Sequence, residues 1–182
     1  NNPADGREYV WGTSACRPSA GASSAWAVGG GTHGSALECG AAYAPNVDSW
    51  LVYGPFSLED ATSAGLDLRL WLNTVRDQDY VALMASVDGI YYYGSSMSGN
   101  TGGWVDHTLD LTAVHSLGNL AGRPQVWVAV TFESDGADAA GEGAYIDEVH
   151  LWKARGPAIA ALAPSAAPES TGTTPIARAL TP

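Results

Sequence analysis

The chain has 182 residues, 46% of them hydrophobic and only 15% charged, with 22 glycines and a formal net charge of −11 at pH 7. That length fits one domain with an appendage, and the glycine-rich, charge-poor balance suits an all-β fold better than a helical bundle. So acidic a surface, with Lys153 its one lysine, repels phosphate backbones and anionic lipid, which argues against nucleic acid and membrane surfaces as partners.

Two cysteines, Cys16 and Cys39, come first in the chain. In an exported protein an even count bridges, and here the bridge would close a Gly/Ser/Ala-rich segment with few other restraints; two buried free thiols are the alternative. Trp50-Leu51-Val52-Tyr53 predicts a short strand, and Leu58 to Ala64 a single helical turn. Leu66, Leu68, Leu70 and Leu72 then alternate with Asp67, Arg69, Trp71 and Asn73, which predicts a strand with one face in a core. Val81, Leu83, Ala85 and Val87 repeat the pattern up to an Asp88-Gly89 turn. Trp104 to Leu111 gives another short strand. Val126, Val128, Val130 and Phe132 form the next inward row, and Asp135-Gly136 turns the chain again. Gly143 to Trp152 reads as the last strand, with Asp147 and Glu148 at its middle. So many short strands at this spacing predict an all-β, two-sheet jelly-roll sandwich over residues 1–155.

From residue 156 to 182 the composition turns to Ala, Pro, Ser and Thr, which predicts an extended tail or linker. Two apolar patches interrupt it, around Ile159 to Leu162 and around Ile176 to Leu180. In the second, Ile176, Arg178 and Leu180 share one face, as in a short strand. The chain starts at Asn1 and has no apolar run long enough to span a bilayer, so the expectation is a mature exported protein without membrane insertion, located outside the cell or on its surface.

The order of several short motifs resembles the MAM-like jelly-roll domains of secreted bacterial proteins, the group that includes modules attached to immune inhibitor A-type proteases. The residues carrying the likeness are Ser23-Ser24-Ala25-Trp26, Tyr43, Ser49-Trp50-Leu51, Pro55-Phe56-Ser57-Leu58 and Asp79-Tyr80. Ser86-Val87-Asp88-Gly89, Trp104, Leu109-Asp110-Leu111, Phe132-Glu133-Ser134-Asp135 and Gly143 to Val149 complete it. The resemblance implies a jelly-roll fold and leaves the function open among adhesion, carbohydrate binding and protease accessory roles. It also implies a structural calcium near the start of the last strand, with Asp147 as a ligand. The acidic loop just upstream offers Asp135, Asp138 and Glu142 as further hard oxygens. Two plainer readings stand beside calcium: a solvated loop, and an Asp147 that accepts hydrogen bonds from a neighbouring turn.

Catalysis finds no constellation here. His33, His107, His115 and His150 have no metal-ligand spacing, and no nucleophile elbow or phosphate loop is present, so a non-enzyme is expected. The tryptophans speak more clearly. Trp71 and Trp127 fall opposite the inward rows, and Trp152 shares its side with Glu148 and His150. Together with Tyr92 they are candidates for contact with a polysaccharide or a protein partner. Burial of both sheet faces under long loops would instead make them ordinary core. Two functions follow. The first is a self-assembling filament or surface-layer subunit, whose tail adds a strand to another copy. The second is a carbohydrate-binding accessory module of a larger secreted hydrolase.

Overall fold

The alternating rows become the inner faces of two packed sheets. The computed structural model describes residues 8–137 and 141–156. Its strands are β1 (Val10–Ser14), β2 (Ser24–Gly30), β3 (Asp48–Phe56), β4 (Ala61–Asn73), β5 (Tyr80–Ser86), β6 (Tyr93–Met97), β7 (Val105–Asp110), β8 (Val126–Glu133) and β9 (Gly143–Arg155). A four-residue helix, α1 (Gly31–Gly34), follows β2. One sheet has the order β1-β2-β9-β4-β7 and the other β3-β8-β5-β6. All pairings are antiparallel. With β1 set aside, the remaining eight strands have the order of a jelly roll. The expected tail from residue 157 onward, with Ile176, Arg178 and Leu180, lies outside the described residues.

Leu66, Leu68, Leu70 and Leu72 of β4 are all buried and share one core with Val81, Leu83 and Ala85 of β5 and Val126, Val128, Val130 and Phe132 of β8. Period-two burial on both sheets fixes their register, because a slip of one residue would turn each aliphatic row to solvent. Leu58, Leu111 and Leu120 close one end. Their loops are stitched together by backbone bonds from Leu58 to Arg123 and from Leu120 to Leu111. The single turn expected over Leu58 to Ala64 is shorter than that: Ala61 donates to the Leu58 carbonyl, and β4 begins there because Ala61 already pairs with Arg155.

Tyr43 closes the other end. Its ring meets Phe132 edge-on at 5.1 Å, and its hydroxyl donates to the buried Asp79 carboxylate while accepting from the Val75 amide at 3.0 Å. The second Asp79 oxygen accepts from the Asp135 amide at 2.8 Å. Burial, and then the hydrogen bond to Asp79, push the Tyr43 hydroxyl pKa far up, so it stays a donor. A buried carboxylate that accepts from both Tyr43 and Asp135 ties together loops that no strand pairing joins.

Candidate functional site

The three tryptophans singled out by alternation point outward, and in each case the backbone or a side chain covers them. Trp26, Tyr145 and Trp71 form a row across β2, β9 and β4. Tyr145 stacks on Trp26 with centroids 5.2 Å apart and meets Trp71 edge-on at 5.6 Å. The Arg17 guanidinium lies 3.9 Å over the Trp71 ring, held there by Glu142 through a pair of charge-assisted bonds, one of them 2.9 Å. Arg17 directly follows Cys16, which is joined to Cys39 in a disulfide. Trp127 lies against Gly54, where φ is +143° and a Cβ would fall 2.6 Å from the indole. Trp152 lies on Gly65, at 2.9 Å by the same measure, and its Nε1 donates to Asp67 at 2.7 Å. Glycine permits both close approaches of backbone to ring. All three indoles are half-buried packing pieces.

The carboxylates expected around calcium are occupied by protein groups. Asp147 accepts from the amides of Ser19 at 2.7 Å, Ala20 at 3.0 Å and Glu148 at 2.8 Å. Burial pushes its pKa up, but the amides of Ala20, Glu148 and Ser19, with Arg69 nearby, outweigh that and leave it lowered. Glu142 is taken by Arg17 and by the Tyr145 hydroxyl at 3.2 Å, and Asp135 accepts from its neighbour Ala137. Asp138 lies outside the described residues. Among the described residues no three His, Cys, Asp or Glu side chains form a metal-holding group; Asp135, Glu142 and Asp147 are not brought together as a ligand set.

The Arg17–Glu142 pair gives a pH test. The hydrogen bond from Arg17 holds the Glu142 carboxyl below the ordinary glutamate range, against the opposing effect of burial. A depressed folded-state pKa adds stability above the ordinary value, and that stability is lost as pH falls through the depressed one. Arg17 is 36% exposed, so water screens the pair and its contribution is about 1 kcal/mol. Arg17→Met should flatten the acid side of the stability curve by that amount, measured as urea midpoints from about pH 6 down to about pH 3.

A different surface has the form of a binding site. On the outer face of the β3-β8-β5-β6 sheet, Trp50, Thr131, Ala82 and Ser96 lie in one cross-strand row. The neighbouring row holds Asp48, Glu133 and Tyr80, and on the other side Val52, Ala129, Met84 and Gly94 follow. Small side chains make a floor and large ones stand around it. The result is a shallow open trough of about 270 Å³ lined by Tyr80, Ala82, Met84, Ser96, Thr131 and Glu133. Trp50 is 41% exposed and its Nε1 donates to Asp48, which fixes the indole at the edge of the sheet.

Tyr92 belongs to this surface. Its ring meets Trp50 edge-on at 5.5 Å. It is carried there by the turn after β5, where Asp88 accepts from the amides of Ile90 at 2.8 Å and Tyr91 at 2.9 Å and from the Ser86 hydroxyl at 2.9 Å. These bonds lower the Asp88 pKa, those from Tyr91 and Ile90 most, and the charged carboxylate keeps the turn in one shape. Of the four aromatic residues expected to contact a partner, Tyr92 alone packs on Trp50, beside the trough and not in its lining. Trp50 and Tyr80 were not singled out by sequence. β3 is apolar from Trp50 to Tyr53 without alternation, so its faces cannot be assigned from the residues alone.

No family model matches the sequence, and no curated protein matches it. Among solved structures, a carbohydrate-binding module, TmCBM61, in complex with β-1,4-galactotriose is similar at a TM-score of 0.45 and 11% identity, over 77% of each chain. The C-terminal domain of EclA, described as a sugar-binding protein, is similar at a TM-score of 0.36 and 14% identity, over 67% of this chain and 87% of that one. Neither superposition is close enough to bear on ligand or function.

Proposed function

We propose that the protein is a non-catalytic, extracellular carbohydrate-binding module of the MAM-like kind, and that the trough on the outer face of the β3-β8-β5-β6 sheet is its binding surface. The observation that carries this reading is the row Trp50–Thr131–Ala82–Ser96, in which a fixed, exposed indole stands beside a floor of small residues and hydroxyl groups. A sugar ring has an apolar C–H face and a rim of hydroxyls. Its face would lie on Trp50 or Tyr80, with its hydroxyls taken by Glu133 and Ser96. The ligand class is a neutral polysaccharide, because a net charge of −11 disfavours uronic acids and sulfated chains. Asp48 and Glu133 adjoin each other across β3 and β8, yet they lie on an open sheet face that sheds no water from a reacting bond, so the pair fits binding better than hydrolysis. A formed disulfide supports an oxidising, extracellular setting.

The test is affinity electrophoresis through a panel of neutral polysaccharides, followed by a glycan array. Trp50→Ala should weaken retention roughly tenfold, the loss of about 1–1.5 kcal/mol of ring stacking, and Tyr92→Ala should weaken it less. Neither should move the melting temperature much, since Trp50 is 41% exposed at the edge of its sheet and Tyr92 packs against it from a surface turn. Retention of Trp50→Ala equal to the unaltered chain, or no retention on any glycan, would remove this reading.

The assembly reading has its own specific observation, an open groove beside the end of β9, and it is independent of the trough.

A further inference from the structure

Past Ile146, β9 loses a neighbour. β2 pairs with it only through Ala25 opposite Ile146 and Trp26 opposite Tyr145, and the loop at Ser19–Ala20 caps it at Asp147. From His150 to Arg155, β4 pairs with one side of β9, and among the described residues no strand pairs with the other. In the facing sheet β3 is also an edge, paired among the described residues only with β8. β1 closes the gap near Ser49, where the Trp11 Nε1 donates to the Ser49 carbonyl at 3.2 Å. Beyond that point no described strand closes the sandwich.

The floor of the gap is apolar. A bulge between Asp147 and His150, with Glu148 at a φ of +49°, resets the alternation so that Ile146, Val149 and Leu151 all line it. The groove has a volume of about 300 Å³, with Leu51, Tyr53 and Val130 on its β3 and β8 side. It continues past Tyr53 and Leu151 to Phe56 and Lys153, at the end of β9. Val149 is 53% exposed and Tyr53 63%. Among the described residues, two edges without a partner strand stand above an aliphatic floor, and such an edge is a template for another chain.

We propose that residues 158–163 of a neighbouring copy supply that strand. The sequence continues directly from the open end of the groove, and its first stretch is Ala158-Ile159-Ala160-Ala161-Leu162-Ala163. Six uncharged residues between Pro157 and Pro164 span about 20 Å as a strand, the length of the open β9 edge from Val149 to Ala154. The second apolar patch fits less well, since Arg178 shares the face of Ile176 and Leu180 and would set a guanidinium on the apolar floor. Direct return onto the same molecule is disfavoured by Gly156-Pro157. Two-residue hairpins favour type I′ turns with both central residues at positive φ, or type II′ turns with Gly first. Proline cannot take positive φ, and it holds the residue before it in the extended region. Donor and acceptor therefore sit at different places on each copy, and a head-to-tail contact of that kind propagates. Main-chain bonds along β9 would be joined by side-chain burial in the groove.

Sedimentation velocity on the full chain tests this. Its average mass should rise with concentration. Val149→Asp, which blocks the groove at an exposed position, should be monomeric, and so should the Ile159→Asp/Leu162→Asp chain, which cannot donate. A one-to-one mixture of these two chains should form a heterodimer and nothing larger, since one good donor and one good acceptor remain. Tyr53→Asp provides a second groove variant should Val149→Asp fail to fold. A full chain that stays monomeric at every concentration overturns the proposal, as does continued growth of a groove variant or a mixture that stays monomeric.

Discussion

Replacing Trp26 with Ala is expected to cost about 4 kcal/mol of folding stability. The indole is 1% exposed, stacks on Tyr145 and donates to the Glu142 carbonyl at 2.7 Å. Truncation would leave a cavity under the loops that cover this sheet, and it would orphan a partly buried carbonyl. Tyr145 would lose its stacking surface, and with it the row that supports Trp71 and Arg17. Trp26→Phe keeps most of the volume and removes the donor, so about 1 kcal/mol should go. Urea unfolding separates the two: both midpoints should fall with an unchanged slope, that of Trp26→Ala several times further. A loss under about 1 kcal/mol for Trp26→Ala would mean that this outer face is not part of the core.

How far the fold could be read from the sequence differs from strand to strand for physical reasons. β4, β5 and β8 face a core on one side, so their leucine and valine rows are printed at period two. β2 was not legible as a strand. Trp26 and Val28 lie on one side and Ala27 on the other, and all three are buried. With both faces covered, no polar residue marks an outside. The bulge in β9 hid another feature. Counting by twos from Ile146 assigns Val149 outward, whereas the extra residue at Glu148 returns it to the groove side.

The same reasoning separates the tryptophans. Alternation correctly placed Trp71 and Trp127 opposite the aliphatic rows. Whether a ring on that side is free depends on residues distant in sequence: Arg17 for Trp71, Gly54 for Trp127. No local pattern encodes those contacts. The Asp88-Gly89 turn that carries Tyr92 is a short-range signal and was legible, but Tyr92's partner Trp50 lies in an edge strand apolar throughout, so their contact was not. The calcium expectation drew on the resemblance to MAM-like modules, with the acidic loop before the last strand adding further oxygens. Backbone amides of the Ser19–Ala20 loop answer Asp147 instead, and sequence cannot show a loop well over a hundred residues away approaching a carboxylate.

That loop depends on the disulfide. Cys16 and Cys39 are 23 residues apart in sequence, and cross-linking a loop of that size restricts the unfolded chain by about 3 kcal/mol. The Cys16→Ser/Cys39→Ser chain should lose this amount, and the unaltered chain in reductant should unfold at the same midpoint. A further consequence follows from position. Arg17 adjoins Cys16, so a loosened loop also frees the guanidinium from Trp71 and Glu142. The double variant should therefore show the flattened acid side expected of Arg17→Met, and combining all three substitutions should cost less than the separate losses added together. Strict additivity would mean that Arg17 keeps its place without the bridge, held by the bonds of Ser19 and Ala20 to Asp147. In that case the disulfide restrains only the unfolded chain and takes no part in covering the sheet.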